Sequence, residues 1–154
     1  MNKLDRYDLK KGVDFIGITC VFYCIDGKGN ILLQKRGANC RDEQGRWDCG
    51  SGSMDFGEKS FEAVVRREIK EEYGLRPEKI TLGDVMQVHR KHKGIPTHWI
   101  AFIFVAEVGD LSKAKIGEPD KIDEIGIFSL KKLPKPLHSK FLSHFDLLKK
   151  KRLI

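Results

Sequence analysis

The sequence predicts an α/β/α sandwich in which a mixed β-sheet lies between helices. Three observations lead there. β-rich runs stand on both sides of one strongly capped helix, a second amphipathic stretch closes the chain, and 154 residues with 40% apolar content suffice for one core. One domain over residues 1–154 is therefore expected.

The first run, residues 15–25, reads FIGITCVFYCI and is rich in β-formers. Asp26-Gly27-Lys28-Gly29-Asn30 separates it from Ile31-Leu32-Leu33, which is a hairpin signal. Turn formers from Gly37 to Gly45 lead to Trp47, and the crowding of Gly50, Ser51, Gly52, Ser53 and Gly57 predicts a loop with unusual backbone freedom. Ser60 is placed to cap a helix over 61–73, and Gly74 to end it. Residues 79–88 and 98–108 read as strands joined by a loop over 90–97, the second strand with the continuous apolar run of a sheet buried on both faces. A last short strand is expected over 124–129. Leu133-Pro134-Lys135-Pro136 then breaks the chain, and residues 139–150 carry Phe141, Leu142, Phe145 and Leu148 at helical spacing.

No window approaches eighteen consecutive apolar residues, and the N-terminus lacks the apolar run of a secretory signal, so a cytoplasmic, non-membrane protein is expected. Charged residues at 33%, interspersed with aromatic and β-branched ones, argue against extended disorder. The balance of 29 Lys+Arg against 22 Asp+Glu, a formal +7, favours anionic partners, which phosphorylated small molecules and nucleic acid satisfy equally. Part of that excess is Lys149-Lys150-Lys151-Arg152, read as a solvated tail. Cys20, Cys24, Cys40 and Cys49 lack the spacing of a zinc site and are expected as free thiols.

The central helix departs from ordinary amphipathicity. At roughly 100° per residue, Val64, Val65 and Ile69 share a sector with Phe61, and Glu68, Glu71 and Glu72 fall into or beside that same sector. Arg66, Arg67 and Lys70 fall on the opposite side, which predicts that they lie too far round to neutralise the carboxylates by lateral pairing. Glu68 stands at i,i+3 and i,i+4 from the other two, so solvated repulsion costs about 0.2–0.5 kcal/mol per pair. A hard divalent cation reverses the sign, because Mg²⁺ takes oxygen ligands and is held by one or two carboxylates plus substrate phosphates. The plain alternative is a helix end that projects past the sheet with all three glutamates in water. The preceding glycines, which allow close backbone approach, and Glu58, a fourth carboxylate, favour a metal and phosphate site.

Residues 52–75, G-SMDFG-E-KSFEAVVR-REIKEEYGL, resemble the Nudix box, G-x₅-E-x₇-R-E-U-x-E-E-x-G-U with U aliphatic. Gly52, Glu58, Arg67, Glu68, Ile69, Glu71, Glu72, Gly74 and Leu75 all have the required type. Eight residues rather than seven separate Glu58 from Arg67; the extra one is most simply placed at Lys59, which keeps the helical register and leaves Glu58 the least secure of the four carboxylates. Gly50-Ser51-Gly52 stands where members often read Pro-Gly-Gly, and loss of the proline loosens that turn. Leu32–Arg36 and residues 123–134 resemble further family strands.

The resemblance implies the Nudix fold and hydrolysis of a nucleoside diphosphate derivative with Mg²⁺ or Mn²⁺. It implies Glu71 and Glu72 as metal ligands, with the Gly52 carbonyl as another, and Glu68 as either a further ligand or the base for the attacking water. Arg67 would orient Glu58 by charge-assisted hydrogen bonds. Glu118 and Glu124 are alternative extra carboxylates from a late segment. Arg36 is a candidate for the phosphates and Trp99 for stacking on a base, each against a surface or core alternative. His89, His92 and His98 lie around the same expected loop.

The leading reading is a pyrophosphohydrolase of nucleoside triphosphates, oxidised ones included. The spacing from Leu32 through Arg36 and Arg41 to Gly45 resembles part of the coenzyme A-cleaving subgroup's motif, although Cys49-Gly50-Ser51 replaces its Phe-Pro-Gly. A coenzyme A or ADP-sugar pyrophosphatase therefore stands as one alternative. A nucleic-acid-binding or regulatory module on the same fold, with turnover lost through the extra residue, is the other. The intact box argues against an isoprenoid diphosphate isomerase. The expected partner is a nucleotide-derived small molecule, not a membrane and, on the leading reading, not nucleic acid. Family members are often homodimers, yet no exposed apolar stripe demands one.

Overall fold

The computed structural model describes residues 8–154. β1 (Gly17–Ile25) is its central strand, paired in parallel with β6 (Ile95–Glu107) from Gly17↔Trp99 to Ile25↔Glu107. On its other side β1 meets β2 (Asn30–Arg36) at one end and β4 (Gly50–Ser53) at the other, both antiparallel. β2 carries β3 (Trp47–Asp48) and β7 (Ile122–Ser129), and β5 (Lys79–His92) pairs antiparallel with β6.

The two-residue period of β1 sends its side chains to two cores. Cys20, Phe22 and Cys24 face α1 (Phe61–Tyr73), where Val64, Val65, Ile69 and Tyr73 cover them. Tyr23 and Ile25 face the other way, against Phe141, Phe145 and Leu148 of α2 (Phe141–Lys150). Full burial of each such side chain stabilises by about 1.5–3 kcal/mol. Two hydroxyls tie the layers: Tyr23 donates to the Phe141 carbonyl at 3.1 Å, and Tyr73 to Gln34 Oε1 at 2.8 Å. The mixed sheet between helices matches the expected class, and all four cysteines are free.

Four sequence expectations are corrected. Gly50–Ser53 is a strand rather than a free loop, because those glycines serve close packing against β1 and α1 and not positive φ. The expected loop over 90–97 is instead a continuation of β5 and β6, closed by a two-residue turn at Lys93-Gly94, both at positive φ. On α2 it is His144, and not Leu142, that shares the buried face; Leu142 is 49% exposed. Finally, Lys151 is no solvated tail residue: it donates to the Gly83 carbonyl at 2.7 Å and faces Asp84 at 3.3 Å. Gly83 interrupts the β5 register, and a Cβ there would sit 2.3 Å from Leu148, so its absence lets α2 close on the sheet.

Candidate active site

Ser60 caps α1 by accepting from the Ala63 N–H at 3.0 Å, and Gly74 closes it in the left-handed conformation. That register turns Glu68 and Glu72 inward, to 9% and 4% exposure, while the Glu71 side chain stays half-exposed. Both buried carboxylates depend on β4 having no side chain beneath them. A Cβ on Gly52 would lie 2.1 Å from Glu68 Cδ, and one on Gly50 would lie 2.7 Å from Glu72 Oε2.

Arg67 joins what the helical wheel separates. Its Nε donates to Glu58 Oε1 at 2.8 Å, and its Nη1 to Glu68 Oε1 at 2.7 Å and Glu71 Oε2 at 3.2 Å. The expectation that Arg67 lies too far round the helix to neutralise the carboxylates is thus corrected: its long stem folds back along the helix. Arg66 pairs with Glu62 instead. The extra residue in the box is absorbed in the loop 54–60. There Asp55 N–H donates to Glu58 Oε2 at 2.7 Å and Lys11 pairs with Asp55, leaving Glu58 against Arg67.

The loop before β7 brings another carboxylate. Gly117 N–H donates to the Glu72 carbonyl at 2.8 Å, and the Glu118 charge is near enough to raise the proton affinity of both Glu68 and Glu72. Glu124, by contrast, pairs with Lys35 across β2 and β7. Burial, and then the neighbouring carboxylates, pushes the Glu72 pKa well above the usual glutamate range; burial likewise raises Glu68. Glu72 Oε2 is buried without a hydrogen-bond partner among the described residues. A buried oxygen with no donor, set among like charges over a glycine strand, fits a hard divalent cation.

A cleft of about 390 Å³, the size of a small-molecule site, lies on the other face of the sheet; Gly52 lines it, and the glutamates do not. Thr19, Val21, Ser51, Ser53, Trp99 and Ala101 form one part of its lining, and Arg36, Arg41, Asp48, Lys121, His138 and His144 another. Trp99 is both packed and presented: Gly12 and Gly17 lie so near its ring that a Cβ on either would come within 2.4 Å. His89 and His98 stack on each other at 4.2 Å away from the cleft lining. Arg36 borders the cleft but is engaged, its Nε and Nη2 donating to Asp42 at 3.0 and 2.9 Å.

A second cluster, Asp42, Glu43 and His138, brings its ligand-type atoms within 4.8 Å of one another. Arg90 already fills it, donating to Glu43 at 2.6 Å and facing Asp42 at 3.0 Å, while Ser139 donates to both Glu43 oxygens. Burial pushes His138 down to about 4; as a neutral ring it accepts from Lys140 N–H at Nδ1 and faces Glu43 from Nε2 at 2.8 Å. The cluster therefore acts as a clamp between the loop 37–46 and the start of α2. Sequence reasoning missed Asp48, Arg90, His138 and His144. Two signals were present: a carboxylate between buried Trp47 and Cys49, and a histidine between Phe141 and Phe145 on the apolar stripe.

A family model described as the NUDIX domain matches residues 16–148. The chain is 32% identical over 116 residues to the mouse protein named 8-oxo-dGDP phosphatase NUDT18, covering 74% of this chain and 32% of that one. It thus spans about a third of that relative. It superposes on a crystal structure of a MutT NUDIX hydrolase from Burkholderia pseudomallei with a TM-score of 0.74 at 30% identity, over 87% of this chain and 98% of the other. The NUDIX domain of Shewanella oneidensis NrtR, solved with ADP ribose, matches over 100% of both chains with a TM-score of 0.70 at 17% identity, which is a likeness of fold.

Proposed function

This chain belongs to the Nudix family, and from that premise we propose that it is a Mg²⁺-dependent pyrophosphohydrolase, active also with Mn²⁺, that cleaves nucleoside triphosphates or diphosphates between phosphates. The observation that carries the reading is the buried Glu72 carboxylate, its Oε2 without a partner among the described residues, beside Glu68 over Gly50 and Gly52. The cation would be held by Glu72, Glu68 and the Gly52 carbonyl, with Glu118 and the exposed Glu71 completing the acidic rim. When bound it supplies neutralisation of the phosphate oxygens and a more acidic attacking water.

The chain's own groups divide the remaining work. Glu68, the carboxylate that lies against Gly52, accepts the proton of the water as that water bonds to phosphorus and the bridging P–O bond breaks. A nucleoside triphosphate and water would thus yield the nucleoside monophosphate and inorganic pyrophosphate. Arg67 holds Glu58 and Glu68 in place from behind, as a positioning residue. Arg67→Ala should lower kcat by about 10–100-fold, the usual effect of losing a supporting partner. Arg67→Lys should rescue little of it, since an ammonium cannot serve three carboxylates in that fork. A thermal melt distinguishes this from unfolding, because a one-third-exposed guanidinium contributes little stability.

The experiment is a panel of nucleoside triphosphates, nucleotide sugars, dinucleoside polyphosphates and coenzyme A with Mg²⁺, assayed for phosphate-containing products. Because the mouse relative is named an 8-oxo-dGDP phosphatase, 8-oxo-dGDP belongs in it. Cleavage of a nucleoside tri- or diphosphate is expected. Cleavage of coenzyme A alone would favour that subgroup; silence across the panel together with tight RNA binding would favour the regulatory module.

A further inference from the structure

The loop over 54–60 has little packing of its own. Phe56 at its tip is 85% exposed, Gly57 takes positive φ, and the eight residues between Glu58 and Arg67 add slack before the helix. Yet this loop carries Glu58, whose oxygens are committed in two directions: Oε2 accepts from Asp55 N–H at 2.7 Å and Oε1 from Arg67 Nε at 2.8 Å. A side chain from far upstream holds the corner where the loop begins. The Lys11 ammonium meets three consecutive residues, Ser53 Oγ at 3.4 Å, the Met54 carbonyl at 3.1 Å and the Asp55 carboxylate, with which it pairs. An ammonium has three N–H donors, and each has an acceptor within reach. The Lys11 hydrogen bond also holds the Asp55 carboxyl below its usual range, so the pair is ionised at neutral pH.

Lys11 is itself braced against the sheet. Its neighbour Gly12, in the left-handed region against the Trp99 ring, donates its N–H to the Phe15 carbonyl at 2.8 Å, and its carbonyl accepts from His98 N–H at 2.8 Å. Two readings of the lysine compete. An exposed ion pair contributes about 0.2–1 kcal/mol and needs no further role, and the Asp55 side chain is 64% exposed. This pair is not isolated, however. Lys11, Asp55, Glu58, Arg67 and Glu68 form one unbroken series of polar contacts that runs from the N-terminal turn to the carboxylate over Gly52. The Met54 carbonyl among the acceptors means that main chain is fixed as well as side chain.

We infer that Lys11 is a positioning residue of the hydrolytic site: it takes up the slack of the longer loop, so that Asp55 N–H and Arg67 together hold Glu58 and, through Arg67, keep Glu68 in place. The inference rests on the hydrolase reading above. The bond that steadies the loop comes from outside the 52–75 segment, from a residue 42 positions before Ser53. Without it the Asp55 corner is free to move, Glu58 follows, and Arg67 is left to share itself between Glu68 and the exposed Glu71.

The test is steady-state kinetics on Lys11→Met, which keeps the length of the side chain and removes its charge, alone and combined with Glu58→Ala. Alone, it should lower kcat by about tenfold, as loss of a supporting partner does. KM should stay within about twofold, because Lys11 is not among the cleft's lining residues. In the Glu58→Ala background the further loss should shrink to about twofold or less, since both changes break one series of contacts. The full tenfold loss in both backgrounds, a change confined to KM, or an undiminished kcat would overturn the inference while leaving the hydrolase reading intact. If wild type cleaves nothing, the hydrolase reading fails instead, and solvent exchange at the Arg67 Nε–H, followed by NMR, decides the positioning. Exchange about tenfold faster in Lys11→Met sustains it, and unchanged exchange ends it. Melting curves check that the variant is folded; should it not be, Asp55→Ala removes the same pair from its more exposed side and takes both measurements.

Discussion

Glu72→Gln should lower turnover by about 10³-fold or more, equivalent to about 4 kcal/mol of transition-state stabilisation, while making the metal-free protein more stable. The two effects have one origin. In the folded chain the Glu72 carboxylate is buried, near Glu68 and Glu118, with Oε2 unpartnered. A neutral amide of the same shape removes that uncompensated charge, worth about 1–3 kcal/mol. The sign against pH follows from linkage. Because the folded pKa is raised, the unfolded chain gives up its proton first, and metal-free wild type loses stability as pH rises above the ordinary glutamate value of about 4.3 towards the folded value. The variant should show a flatter profile over that window. Added Mg²⁺ or Mn²⁺ should stabilise wild type, by about 2.7 kcal/mol at a hundredfold excess over Kd, and leave the variant's melting temperature unmoved.

Gly52→Ala should cost about 10²-fold or more in kcat with a far smaller change in stability. The added Cβ would fall 2.1 Å from Glu68 Cδ, so the carboxylate must swing away from β4 and from its 2.7 Å bond to Arg67. Displacement of a reacting group by about 1 Å is enough for a loss of that order. Steady-state kinetics on the single variants and the double variant Gly52→Ala with Glu68→Asp provide the check. Aspartate, one methylene shorter, should make the double variant less impaired than the sum of the two singles, since the losses share one contact. Strict additivity would mean that Gly52 acts elsewhere.

The elements were legible because local signals agreed with tertiary packing. Ser60 and Gly74 bound α1 where capping chemistry placed its ends, and the apolar residues of β1 alternate between two cores as a buried strand requires. The glycines before α1 are ambiguous for a physical reason: a glycine wanted for its open φ and one wanted for its missing Cβ look alike in sequence, and Gly50 and Gly52 are of the second kind. The pairing of Arg67 escapes a helical wheel because the wheel tracks Cβ directions, whereas the long guanidinium stem reaches back to Glu58, Glu68 and Glu71. The box made the acidic helix readable, since its spacing is local. The cleft wall is not, because Asp48, Arg90, His138 and His144 lie on β3, β5, the segment before α2 and α2 itself, and meet only through the sheet.

On the proposed function, Glu68, Glu72 and the Gly52 carbonyl share a divalent cation. Anomalous scattering from a crystal soaked with Mn²⁺ and a non-cleavable nucleotide tests it most directly. A manganese peak bounded by those three groups is expected, with the nucleotide phosphates on its open side. A peak at Asp42, Glu43 and His138 instead, or none beside α1, would contradict it.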